Sequence, residues 1–247
     1  LGAYCKHKGF SFSLQPGKSR GIVFASGILM SVHWVAYFFA LVHTSVAVSM
    51  LAIFTYPMIT TLLEPLVLDV KLQTRSVLLS ALVLLGIYLL LPTFSLENSD
   101  TKGFLFAILS AVTYSIRNLM MKREIELYNG SILMYYQCLI SVIILIPFFF
   151  VAAPSIEDVV HDLPFLFGLA FITTCLGHTI FLYTFKHFRI STASILSSFQ
   201  PVFGIILAAF FLNEFPSWRT VFGGAIILIT VLIESIISSR RKAMTKT

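Results

Sequence analysis

Polar and aromatic side chains recur within otherwise apolar stretches of this chain. They are His33, Trp34 and Tyr37, then Thr55, Tyr56 and Pro57, then Tyr114, Arg117 and Asn118, then His178, and last Ser198, Gln200 and Pro201. Arg117 is the sharpest of them. A guanidinium presents a planar fork of donors that matches a carboxylate or phosphate, and Tyr114 and Asn118 flank it at helical spacing. His33 and His178 carry imidazoles that titrate near neutrality and so could relay protons; the competing role is a hydrogen-bonded packing residue. Pro57 and Pro201 each remove an amide from a helix and free the carbonyl four residues back, at Ile53 and Ser197. No nucleophile motif of the Gly-x-Ser-x-Gly type and no His-x-x-Glu-His metal motif occurs, so covalent catalysis is not expected. Cys5, Cys138 and Cys175 lie far apart, which gives neither a disulfide framework nor a cysteine metal site, and no cofactor is expected.

Elements able to hold such residues follow from composition. Of 247 residues, 57% are hydrophobic and only 11% charged, with a mean hydropathy of +0.92. Soluble domains carry about a quarter charged residues, so this excess must face lipid. Apolar runs bounded by polar, Pro or Gly punctuation predict an all-α fold, a polytopic membrane bundle of eight helices lettered A to H. These are A (21–42), B (45–68), C (76–91), D (103–121), E (132–151), F (163–185), G (190–212) and H (220–238). The runs are too long and too uniformly apolar for a membrane barrel. Pro57 and Pro201 fall about 12 and 11 residues into B and G, roughly at the bilayer midplane. Arg117 lies about 14 residues into D, roughly 21 Å deep, where it either binds an anion or snorkels to the nearer boundary. Glu64 and Glu234, near helix ends, read as snorkelling or packing residues, and Glu214 beside Pro216 as a solvated loop charge.

The net charge of +6 could suggest nucleic acid, but the basic residues have another use here. Lys6, Lys8, Lys18, Arg20, Lys71, Arg75, Lys122, Arg123, Lys186, Arg189 and the tail from Arg240 to Lys246 fall on one side of the predicted spans. Only Lys102 and Arg219 fall on the other, together with Glu97, Asp100, Glu157, Asp158, Asp162 and Glu214. This is a positive-inside pattern, which predicts a cell-membrane protein with both termini cytoplasmic, lipid around it and no nucleic-acid partner.

A shift of 144 residues brings His43 onto His187, Pro57 onto Pro201, Leu63 onto Leu207, Arg75 onto Arg219 and Ala81 onto Ala225, without gaps. His33 and His178 come within one position of each other. Helices A to C thus match F to H, and because the matching loops lie on opposite faces, the repeat is inverted. Such repeats are associated with alternating-access transport, with paired helix interruptions marking the site. The predicted organisation is a cytoplasmic loop (1–20), a first repeat of three helices (21–97), a second of five (103–238) and a basic tail (239–247).

The stretch Ser198-Phe-Gln-Pro-Val-Phe-Gly-Ile-Ile-Leu-Ala-Ala-Phe-Phe-Leu-Asn-Glu214, followed by Trp218-Arg-Thr-Val-Phe-Gly-Gly-Ala225, resembles the EamA-type repeat of the drug/metabolite transporter superfamily. The first copy keeps Pro57 but has Asp69-Val70 in place of Asn213-Glu214. The resemblance implies a carrier of small organic metabolites such as amino acids or drugs, most simply an exporter. A phosphorylated-sugar or nucleotide-sugar exchanger and a structural membrane subunit are the other readings. Family members typically have ten helices in two halves of five. By that template the first two helices would be missing, and the chain would be a fragment or a shortened member that recruits a partner. The family's last helix in each half often supports dimers, so Gly223, Gly224 and Ala225 serve either a homodimer or packing within one chain.

Overall fold

A computed structural model of the chain describes residues 1–67, 74–90, 95, 97–152, 155–181, 183 and 200–244. All regular structure among the described residues is helical. In chain order the helices are α1 (Gly2–His7), α2 (Lys18–His43), α3 (Val46–Ile53), α4 (Tyr56–Val67), α5 (Thr74–Leu90), α6 (Ser99–Leu127), α7 (Gly130–Ala152) and α8 (Ile156–Leu169). A π-helical turn (Ala170–His178) continues α8, and α9 (Gln200–Leu212) and α10 (Trp218–Met244) follow.

Among the described residues, four helical stretches are long and apolar enough to cross a membrane: Lys18–His43, Ser99–Lys122, Gly130–Val151 and Val159–Phe181. Val46–Thr60, Leu78–Leu90, Gln200–Leu212 and Trp218–Ile233 are shorter apolar helices. Large apolar side chains such as Phe148, Phe150, Phe165, Phe167, Phe210 and Phe211 stand exposed. In water such a surface would be a severe cost; against hydrocarbon it costs nothing, which fits a multi-pass membrane-helix protein.

The structure differs from expectation at the N-terminus and in helix B. Residues 1–20, expected as a loop, contain the short helix α1. Helix B, expected as one span (45–68) interrupted at Pro57, is two helices, α3 and α4, separated at Phe54 and Thr55.

Packing divides the chain into two units whose boundaries fall inside α2 and α6. The first comprises residues 1–31 and 120–188. In it, α2 meets α7 closely enough that a Cβ on Gly27 would lie 2.7 Å from Ile140 Cδ1. Polar pairs pin the same contact: Ser31 Oγ donates to Ser141 Oγ at 2.8 Å and Gln137 Nε2 to Ser26 Oγ at 3.2 Å. Tyr128 OH accepts from Gln15 N–H at 2.9 Å, and Tyr136 OH donates to the Phe12 carbonyl.

The second unit comprises residues 32–119 and 189–247. Leu51, Met58, Val83, Phe104, Ile227 and Val231 form part of its buried core. A close backbone seam joins α5 and α10. A Cβ on Gly86 would lie 2.8 Å from the Gly223 carbonyl oxygen, and one on Gly223 would lie 2.7 Å from the Gly86 carbonyl oxygen. Gly224 faces Leu51 of α3 in the same way, at 2.6 Å from Leu51 Cδ1. Small residues in membrane helices permit this approach of backbones. Gly223 and Gly224 are therefore used in packing within the chain.

Candidate functional site

The site is assembled by three helices of the second unit, α2, α4 and α6. Its centre is Tyr114 on α6. The His33 ring from α2 stacks on it, with centroids 4.5 Å apart and planes at 22°, while Tyr56 from α4 meets it edge-on at 5.0 Å and 81°. Phe54 packs edge-on against Tyr56 at 5.7 Å. One helical turn along α6, the Arg117 guanidinium carbon lies 5.9 Å from the Tyr114 centroid. Arg117 Nη1 donates to Asn118 Oδ1 at 2.8 Å.

Arg117 is 0% exposed. Of the two roles open to it from sequence, a buried position beside an aromatic face is the opposite of snorkelling, in which the head group reaches water. A guanidinium held over a tyrosine ring in a dry setting gains a cation–π attraction and keeps donors in a fixed plane.

His33 is fixed by Ser110 of α6. Its Nδ1 lies 2.8 Å from Ser110 Oγ and 3.1 Å from the Ser110 carbonyl, and Ser110 Oγ donates to the His33 carbonyl at 2.9 Å. This set closes when Nδ1 carries the proton, leaving Nε2 as an acceptor.

The backbone beside the rings is interrupted. Thr55 N–H and Oγ1 both donate to the Ala52 carbonyl, at 3.2 and 2.7 Å, which closes α3 in a tight turn. The Thr55 carbonyl then accepts from Met58 N and Ile59 N at 3.0 and 3.1 Å, which opens α4. Pro57, buried in the first turn of α4, offers no amide to the Ile53 carbonyl. Ser115 Oγ, 2.9 Å from the Tyr56 carbonyl, attaches the start of α4 to α6.

His33, Tyr56, Pro57, Tyr114, Arg117 and Asn118 are thus brought together. Trp34 and Tyr37 are half-buried on α2 beside His33. Gln200, exposed, and Pro201, buried, begin α9 and lie outside the ring stack, and Ser198 is outside the described residues. His178 is half-buried in the π-helical turn and belongs to the other unit. Ser110, Ser115 and Phe54 went unnoticed in the sequence, because a serine or phenylalanine in an apolar helix is ordinary.

Glu214 corrects its expected role as a solvated loop charge. It is half-buried, and its Oε2 accepts from Val46 N–H, the first amide of α3, at 2.9 Å. Glu64 is half-buried on α4, and Glu234 lies on α10 with its side chain outside the described residues.

Comparison with known proteins places this chain among transporters. The chain is 25% identical over 198 residues to an uncharacterized transporter of Archaeoglobus fulgidus, covering 80% of this chain and 70% of that protein. It is 22% identical over 225 residues to the S-adenosylmethionine uptake transporter of Rickettsia prowazekii, covering 88% and 72%. Over 226 residues it is 25% identical to the uncharacterized transporter YwfM of Bacillus subtilis, covering 90% and 75%. A solved crystal structure shares the fold with a TM-score of 0.68 at 18% identity, covering 97% of this chain and 83% of the other. The model of the EamA-like transporter family matches residues 1–91 and 101–236, so this chain belongs to that family of membrane transporters within the drug/metabolite transporter superfamily.

Proposed function

We propose that the chain moves a small organic metabolite bearing a carboxylate, such as an amino acid, by alternating access around the Tyr114 ring stack. The carrying observation is the juxtaposition of a broken helix, at Phe54 and Thr55, with a buried cation one aromatic ring away. Arg117 with Asn118 receives the carboxylate; Tyr56, Tyr114 and His33 receive the organic body, with Trp34 and Tyr37 beside them. Pro57 supplies the interruption and the freed carbonyl. Ser198, Gln200, Pro201 and His178 belong to the repeat-related counterpart. A relative named for S-adenosylmethionine uptake supports this class, since that molecule carries an α-amino carboxylate. Eight spans, an inverted repeat of three and five helices (21–97 and 103–238) and cytoplasmic termini complete the reading, and the family match over two stretches supports it. Outward movement across the cell membrane rests on the family resemblance, and chemistry on the substrate is not part of the mechanism.

A sugar-phosphate or nucleotide-sugar exchanger would need several cations around the dianion, and among the described residues the ring stack contains one, Arg117. Homodimer formation has less support once Gly223 and Gly224 are buried within the chain.

Proteoliposomes given labelled S-adenosylmethionine, aromatic and aliphatic amino acids, a cationic drug and a sugar phosphate test the proposal. Saturable flux of a carboxylate-bearing compound is expected. Arg117→Gln should weaken its apparent affinity about tenfold or more, the loss of one charge-assisted pair. Unchanged affinity would remove Arg117 from the site, and no saturable flux of any compound would overturn the carboxylate carrier.

A further inference from the structure

The half-helix α3 is bounded by interruptions at both ends and held from three directions. Its N-terminal amides point at Glu214, from the α9–α10 connection, and at its own cap Ser45, whose Oγ accepts from Val48 N–H at 3.2 Å. Such amides lack partners inside the helix, and the positive end of the helix dipole favours a carboxylate. On its flank, Met50 rests on Gly204 of α9 so closely that a Cβ there would overlap its sulfur, and Leu51 rests on Gly224 of α10. The preceding residue, Ser49, is 0% exposed, and its hydroxyl has no hydrogen-bond partner among the described residues. A buried hydroxyl without a partner is unfavourable, so the observed seat of α3 is kept by the other contacts against a local preference for water.

The turn leading into α3 is anchored separately by α6. Thr44 Oγ1 donates to Asp100 Oδ1 at 2.9 Å and Ser99 Oγ donates to the His43 carbonyl at 2.8 Å. Loss of Glu214 would therefore release α3 without releasing the turn. The other end of α3 is the break at Phe54 and Thr55, immediately before Tyr56.

From this placement we infer that Glu214 is a positioning residue for transport: its carboxylate seats α3, and release of that contact lets α3 move between its two interruptions, uncovering Ser49 and shifting Tyr56. The inference rests on the transporter reading but not on Arg117. Its test needs no substrate, so failure here and failure of the carboxylate site are distinguishable.

The full chain is reconstituted in lipid nanodiscs with Cys5, Cys138 and Cys175 replaced by Ser and with Ser49→Cys as reporter, and labelled with a membrane-impermeant maleimide. Relative to this parent, Glu214→Ala and Glu214→Asn, which lose the acceptor or its reach, should label about tenfold faster, as expected for one lost hydrogen bond. Glu214→Gln keeps an acceptor oxygen at the same reach and should stay within about threefold of the parent. Equal rates in all four chains would overturn the inference. Hydrogen exchange by mass spectrometry, on chains that retain Ser49, supplies the second measurement. Glu214→Ala should accelerate exchange over residues 46–53 and leave 104–118 of α6 unchanged, whereas acceleration of both segments would mean general loosening and would also overturn it.

Discussion

At the scale of single residues, the site is a set of polar groups made tolerable by one another. The Arg117 cation faces the Tyr114 ring and binds Asn118, and the His33 ring stacked on Tyr114 is oriented by Ser110. Ser110→Ala should take the hydroxyl, one of two partners, from the buried His33 Nδ1 and the donor from the His33 carbonyl, lowering stability by about 1–3 kcal/mol. Thermal unfolding in detergent measures this, and an unchanged midpoint would show that the Ser110 carbonyl alone suffices. Cys5, in the first unit, makes a separate case. Burial pushes its thiol above the ordinary range. Because the unfolded chain ionises first as pH rises, the stability contributed by a neutral Cys5 is complete below the ordinary thiol pKa and is lost as pH climbs through the raised one. Iodoacetamide should therefore modify Cys5 much more slowly than free cysteine at neutral pH, in a chain with Cys138→Ser and Cys175→Ser; equal rates would contradict the burial. Arg117, Tyr114, Asn118, His33 and Tyr56 were legible in the sequence because charge and polarity stand out in an apolar run, where each must face protein. Ser110 and Ser115 were not, since serines in helices commonly bond their own preceding turn. Glu214 was misread because its partner is a backbone amide 168 residues away, and backbone leaves no mark in side-chain patterns.

At the scale of elements, proline alone does not decide where a helix breaks. Pro65, Pro147 and Pro164 lie inside continuous helices, whereas α3 and α4 separate just before Pro57. The difference is Thr55, whose hydroxyl and amide both turn back to Ala52 and end α3. Apolar periodicity shows that a helix exists and proline shows that it is weakened, but the competition between a threonine hydroxyl and the ladder is settled only by packing. Pro57→Ala restores an amide opposite the Ile53 carbonyl. It should lengthen α3 toward α4, raise the unfolding midpoint and slow flux, the usual exchange of mobility for stability; a faster carrier would argue that the break is merely tolerated. The seam of α5 and α10 has the opposite character. At Gly86 and Gly223 each added Cβ would meet the other's carbonyl oxygen, and backbone cannot step aside as a side chain can. Gly223→Val should therefore destabilise the second unit by about 1–3 kcal/mol or more, visible as a lower unfolding midpoint. Tolerance of valine would show that the seam is looser than its geometry.

At the scale of the whole molecule, sidedness links the charge pattern to the contacts. The connections around residues 43–46, 95–100 and 213–219 are the acidic, basic-poor ones, which the positive-inside pattern assigns to the outer face. In the second unit they are hydrogen-bonded to one another, His43 to Ser99, Thr44 to Asp100 and Val46 to Glu214. In the first unit, Gln15 and Tyr128, both on segments assigned to the cytoplasm, are likewise joined. A chain threaded with the wrong number of crossings between these points would put bonded residues on opposite sides of about 30 Å of hydrocarbon, so the contacts constrain the count of spans between them to be even. Between residues 15 and 128 four spans, A to D, meet that condition; between 46 and 214 the predicted six, B to G, do too. Reporter fusions test both parity and direction. Alkaline phosphatase, active only outside the cytoplasm, should be active when fused after Asn98 or Ser155 and inactive after Asn129 or Met244, with a fluorescent-protein fusion giving the reverse. Activity after Asn129 together with silence after Asn98 would invert the orientation while keeping the span count. Activity after both Asn98 and Asn129 would mean that α6 does not cross the membrane, and the inverted repeat would fall with it.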